Sequence, residues 1–139
     1  MPKLRVGVEG LTFDAAHYTK GVTERCLNLH GHTFRVDVEV EGEVDEATGM
    51  VLDFGIIKRA VREVLEEYNH RVIVPKRDSQ RVRLEGPFNG AVKLLDYPEA
   101  TTEYIALDIA RSLHSKLRLP VRVKVYEGEG KYAIAEWGF

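Results

Sequence analysis

The chain has 139 residues, a formal charge of −2 and 44% hydrophobic residues, which fits a single domain over residues 1–139 with one apolar core. The near-balanced charge offers no field that would draw it to nucleic acid or an anionic membrane, and no apolar run approaches the roughly 20 residues of a membrane span. Cys26 is the single cysteine, which excludes an internal disulfide and suits a reducing cytosol. The N-terminal stretch from Met1 to Val6 lacks the apolar run of a signal peptide, so the expected location is cytoplasmic.

Leu4, Val6 and Val8 alternate with Arg5, Gly7 and Glu9, the period of a strand with one buried face. A polar loop follows from about His17 to Leu29. Phe34, Val36, Val38 and Val40 then alternate with Arg35, Asp37, Glu39 and Glu41, a second strand closed by Gly42. The period changes to helical at Ile56, with Ile57, Ala60, Val61, Val64, Leu65 and Tyr68 on the same face and Asp53 as N-cap. The stretch from His70 to Asp96 has no dominant period; Arg81 to Leu84 reads as a short strand and Pro87 to Gly90 as a turn. A second helix is expected from about Thr102 to Lys116, with Ile105, Ile109, Leu113 and Leu117 inward, Thr101 or Thr102 as cap and His114 solvated. Val121, Val123 and Val125 then mark a strand, and Gly128-Glu129-Gly130 turns the chain into a last one, Tyr132 to Trp137. Hairpins at both ends predict an α+β fold, a four-stranded antiparallel sheet with two helices on one face.

His30 and His32 stand two apart, so in extended chain both imidazoles point the same way. Gly31 between them adds no bulk. His17 follows the first strand, and a hairpin of the first two strands would bring it across from this pair. Three neutral imidazoles suit zinc and leave a coordination position open for water or substrate. A closed structural zinc with Cys26 as fourth ligand is the rival arrangement, and spacing leaves both open. His70 follows Asn69 at a helix end, where the helix dipole favours it. Glu127 shares parity with Val121, Val123 and Val125 and so points to the buried face, where a carboxylate needs a partner.

Together these residues resemble the 6-pyruvoyltetrahydropterin synthase and 6-carboxytetrahydropterin synthase family over nearly the whole chain. Cys26-Leu27-Asn28-Leu29-His30-Gly31-His32 is similar to its Cys-x-x-Leu-His-Gly-His, the most specific element. Phe13-Asp14-Ala15-Ala16-His17 is similar to Phe-Ser-Ala-Ala-His, and Gly49 to Phe54 with Lys58 to Gly-Met-Val-x-Asp-Phe-x-x-x-Lys. Thr101-Thr102-Glu103 and Val123 to Glu127 match a helix start and a pterin-anchoring strand. The resemblance implies a tunnelling fold, in which trimers stack into a homohexamer with active sites between subunits. It implies zinc on His17, His30 and His32, Cys26 and His70 as catalytic residues, and Glu127, with Thr101 and Thr102, as the pterin-binding group. Asn69 stands where the family usually has an aspartate beside the catalytic histidine, and the segment from Lys76 to Asp96 is longer than in short members.

The implied substrate is dihydroneopterin triphosphate. Of the family's products, 6-carboxytetrahydropterin, released with triphosphate and acetaldehyde for modified tRNA nucleosides, is favoured by the Val-Leu-Asp-Phe form of the third motif. 6-Pyruvoyltetrahydropterin is the runner-up. A non-catalytic pterin-binding zinc protein is a reading of another class, suggested by Asn69.

Overall fold

The computed structural model describes residues 2–21 and 23–139. Met1, part of the N-terminal stretch, and Val22, within the polar loop, lie outside them. The elements in chain order are β1 (Leu4–His17), α1 (Glu24–Leu27), β2 (His30–Gly42), α2 (Phe54–Glu66), β3 (Arg71–Pro75), β4 (Val92–Leu95), α3 (Thr102–Leu117), β5 (Val121–Glu127) and β6 (Tyr132–Trp137). The strands form one six-stranded sheet in the order β4-β3-β1-β2-β5-β6. β1, β2, β5 and β6 pair antiparallel, as the alternating patterns predict. β3 and β4 add two parallel pairings at the β1 edge, so the sheet is mixed rather than four-stranded and antiparallel, and among the described residues there are three α-helices rather than two, besides a short 3₁₀ turn.

The two added strands come from the segment without a dominant period. Ile73 and Val74, adjacent in sequence, are both fully buried. A parallel strand covered on both faces reads as a continuous apolar run, not an alternation, and one of five residues is too short to separate from a buried helix turn. Residues 81–84, expected as a strand, take no regular structure.

β1 runs eight residues further than its first alternation suggests. Val8 pairs with Val38 and Leu11 with Val36, so Glu9 and Gly10 form a bulge against β2. Gly10 takes φ 78°, a conformation natural to glycine, and its N–H donates to Asp37 Oδ1 at 2.9 Å. The bulge reverses the parity of β1. Val6 and Val8 face inward before it; Leu11, Phe13, Ala15 and His17 face inward after it.

α2 and α3 cover this inner face. Asp53 caps α2 by accepting the Gly55 N–H at 2.6 Å, as expected. Ile57, Ala60, Val61, Val64, Leu65 and Tyr68 are buried, while Ile56 lies off the stripe and is 49% exposed. Thr101 is the N-cap of α3, accepting the Tyr104 N–H. His114 is half-buried rather than solvated, with Nδ1 donating to the Leu119 carbonyl at 2.8 Å. Phe13 stacks on Phe34 with centroids 4.8 Å apart, and this pair floors the end of the core nearest the histidines. Among the described residues no helix is long and apolar enough to cross a membrane.

Candidate metal centre and active site

Register brings the histidines together. His17 pairs with His30 and Ala15 with His32 across β1 and β2, while Phe34 pairs with Glu127 across β2 and β5. Residues directly opposite in a sheet share a face, so His17, His30, His32 and Glu127 converge above Phe34. Their ligand atoms lie within 4.8 Å of one another. His17 is 2% exposed, and its ring stands edge-on to Phe34 with centroids 5.7 Å apart.

The hydrogen bonds decide which nitrogens remain. His17 Nδ1 is 2.7 Å from the Ala100 carbonyl, and His30 Nδ1 is 2.6 Å from the Asn28 carbonyl. A carbonyl only accepts, so each Nδ1 carries the proton and each neutral ring has its lone pair on Nε2. His17 Nε2 lies 3.2 Å from Glu127 Oε1. His32 Nε2 lies 2.7 Å from the same oxygen, but not in hydrogen-bond alignment, so this buried nitrogen has no hydrogen-bond partner among the described residues. Lone pairs facing a carboxylate require either ring protonation or a cation between them. Burial, opposed by Glu127, lowers the pKa of His32, and the neighbouring His17 and His30 lower it further. With the His17 ring protonated, its hydrogen bond holds the Glu127 carboxyl down at about 2 against the effect of burial, helped by His32 and by the Thr102 hydroxyl. The group of three imidazoles and one carboxylate is therefore suited to hold a metal ion. Its fourth member is Glu127, and Cys26 is not part of it.

Cys26 instead lines the same cavity, of about 710 Å³, on the α1 side. Its carbonyl accepts the Thr19 N–H at 2.7 Å. Arg25 and Lys131 stand on the cavity wall as cations. Thr102 is buried and donates to Glu127 Oε2 at 3.1 Å, so it orients the carboxylate, while Thr101 lines the cavity and caps α3.

The sequence pattern of the family described as 6-pyruvoyl tetrahydropterin synthase matches residues 7–137. The chain belongs to that family. A dihydroneopterin monophosphate aldolase from Pyrococcus furiosus is 35% identical over 129 residues, covering 91% of this chain and 92% of its own. A 6-carboxy-5,6,7,8-tetrahydropterin synthase from Haemophilus influenzae is 34% identical over 114 residues, covering 77% of each. The Plasmodium vivax 6-pyruvoyl tetrahydropterin synthase structure superposes with a TM-score of 0.81 at 23% identity over the full length of both chains, a likeness of fold.

Two residues singled out through the family stand apart from the cavity in this subunit. His70 is exposed, adopts φ 60° and donates its N–H to the Asp14 carbonyl at 2.6 Å. It lines a second hollow of about 480 Å³ with Asp14, Ala16 and Thr33, whose parity places them on the opposite face of the sheet from His17, and this hollow also borders His32. Asn69 turns its Oδ1 to the Asp14 N–H at 3.1 Å. That side-chain oxygen is thus engaged by β1 backbone.

The sequence reading missed the Ala100 and Asn28 carbonyls that orient two histidines. Asn28 was open to discovery, being two residues before His30. Ala100 lies 83 positions from His17 and had no local signal. Lys131, in the β5–β6 turn, was also missed.

Proposed function

We propose that this chain is a zinc enzyme that converts dihydroneopterin triphosphate to 6-carboxytetrahydropterin, with loss of triphosphate and acetaldehyde, in a route to 7-deazaguanine nucleosides of tRNA. The observation that carries the reading is the convergence of three imidazole nitrogens on a cavity that also holds Cys26 and Glu127. His17, His30 and His32 would hold the metal, a donor set that suits zinc. When bound, zinc supplies Lewis acidity to the hydroxyls of the substrate side chain.

The chain's own groups divide the remaining work. Glu127, charged at neutral pH, accepts two hydrogen bonds from a pterin ring N–H and exocyclic amine, with Thr102 fixing its second oxygen. Cys26 as thiolate takes the carbon-bound proton. Arg25 and Lys131 meet the phosphates. His70 serves as acid–base partner from a second subunit of a homo-oligomer, arranged as a hexamer of two trimers.

A second reading is aldol cleavage of a dihydroneopterin monophosphate, favoured by the near-complete match to the Pyrococcus furiosus aldolase. Both reactions need a base beside a side-chain hydroxyl made more acidic by a bound metal, so one site can serve either. Mass analysis of products from the zinc-loaded protein separates them. Acetaldehyde with the carboxy-pterin is the expected result. A phosphorylated two-carbon aldehyde would establish the aldolase. A pyruvoyl product with no carbon lost would mark the pyruvoyl branch. Pterin binding without turnover of either phosphate would leave a binding protein and sink the enzymatic reading.

A further inference from the structure

The short 3₁₀ turn Lys76–Asp78 after β3 belongs to the long middle segment that the site does not use, yet it reaches both sides of the active-site wall. Arg77 donates from one guanidinium nitrogen to the Pro98 carbonyl and from another to Glu99. Glu99 Oε1 in turn accepts the Lys20 N–H at 3.0 Å, at the start of the loop that carries Cys26. Thr19 closes that loop on the Cys26 carbonyl. On the other side, residue 100 supplies the carbonyl that orients His17, and Thr102 orients Glu127. Next to Arg77, Asp78 accepts the Tyr18 hydroxyl at 2.7 Å, holding the residue that follows His17.

Arg77 and Glu99 are partly exposed, with side chains 40% and 20% accessible. A pair of that kind adds little to global stability. Its geometry, a planar fork gripping a carbonyl and a carboxylate together, suits positioning instead. We propose that the Arg77–Glu99 pair is a positioning device that holds the Cys26 loop at a fixed distance from the histidine cluster. Its effect on turnover rests on the reading of Cys26 as the base; its effect on the loop does not.

Hydrogen–deuterium exchange on the zinc-loaded full chain tests it. In Arg77→Ala the peptide spanning residues 19–28 should exchange about tenfold faster, while α3 and β5 keep their protection. Bound metal should stay stoichiometric. The kcat should fall about tenfold with KM little changed, as for a displaced catalytic group. Arg77→Lys, with a single donor in place of the fork, should lie between the two, and Glu99→Gln, which keeps an acceptor for Lys20, should match Arg77→Lys. Unchanged loop exchange in Arg77→Ala overturns the proposal, and so does a loss of protection spread evenly over α3 and β5. If Arg77→Ala does not fold, the Arg77→Lys and Glu99→Gln comparison decides by the same criterion. Faster loop exchange in a protein that turns over no pterin upholds the clamp and sinks the enzymatic reading on which its effect on turnover rests.

Discussion

A carboxylate opposite two imidazole nitrogens has two ways to be satisfied in the working protein, and Glu127 distinguishes them. As a metal ligand it would close the coordination shell. As a pterin anchor it would leave the shell open and bind substrate. We predict the second. Alanine at His30 or His32 should strip the metal, measured by elemental analysis after dialysis. Alanine at Glu127 should leave metal content intact and weaken pterin binding by about 2–5 kcal/mol, the scale for removing a buried charged partner. Metal lost from Glu127→Ala would make it a fourth ligand and remove the open position that catalysis needs. Thr102 bears on the same question, because its hydroxyl holds Glu127 Oε2 and so limits how far the carboxylate can swing.

Between elements, the β1 bulge is the feature on which the site depends. Ten residues into the chain, it changes which side chains face α2 and α3, and without it His17 would point away from His30 and His32. Asp37 on β2 ties the bulge down. Burial would raise its carboxyl, but hydrogen bonds from Arg35 and from the Gly10 N–H outweigh burial and hold it below the ordinary aspartate value. A depressed carboxyl contributes stability that is complete above the unfolded-state pKa of about 4 and is lost as pH falls through the lower folded value. Asp37→Ala should therefore be less stable by about 1–2 kcal/mol at neutral pH. Denaturant titrations should show the gap to the parent protein shrinking as pH is lowered through and below about 4. A gap that is the same at neutral pH and well below that range would mean the ionised carboxylate is not what holds the bulge.

At the scale of the molecule, the sheet separates two sets of groups that the proposed chemistry needs together. Cys26 and the histidine cluster lie on the helix-covered side of β1 and β2, and His70 lies with Asp14 and Thr33 on the other. A left-handed backbone at a non-glycine residue such as His70 is costly and persists where surroundings impose it; here the Asp14 carbonyl does so. If both residues act on one substrate, they come from different subunits. Cys26→Ala and His70→Ala should each be inactive, and refolding them as a mixture should restore turnover through hybrid sites. No recovery from a mixture whose members keep metal and assemble as the parent does would confine the chemistry to one subunit and take His70 out of it.

Local chemistry made part of this protein legible without coordinates. Period-2 patterning marked β2 and β5, so the common direction of His30 and His32 and the inward turn of Glu127 followed from parity alone. Helical stripes and capping residues marked α2 and α3, because propensity and amphipathicity act within a few residues. The histidine spacing, with the motifs around it, pointed to the family that the whole-chain match establishes. Tertiary structure decided the rest. β3 was illegible because a parallel strand buried on both faces leaves no alternation to read, and β4, four residues at the sheet edge with Leu94 exposed, was too short to show a period. The length of β1 was hidden by a bulge whose residues break the period. The partners of His17, the use of Asn69 on β1 backbone and the Arg77–Glu99 grip join positions 83, 55 and 22 apart in sequence. Such bonds depend on where the folded backbone passes, and the packing of the whole sheet and its helices sets that path.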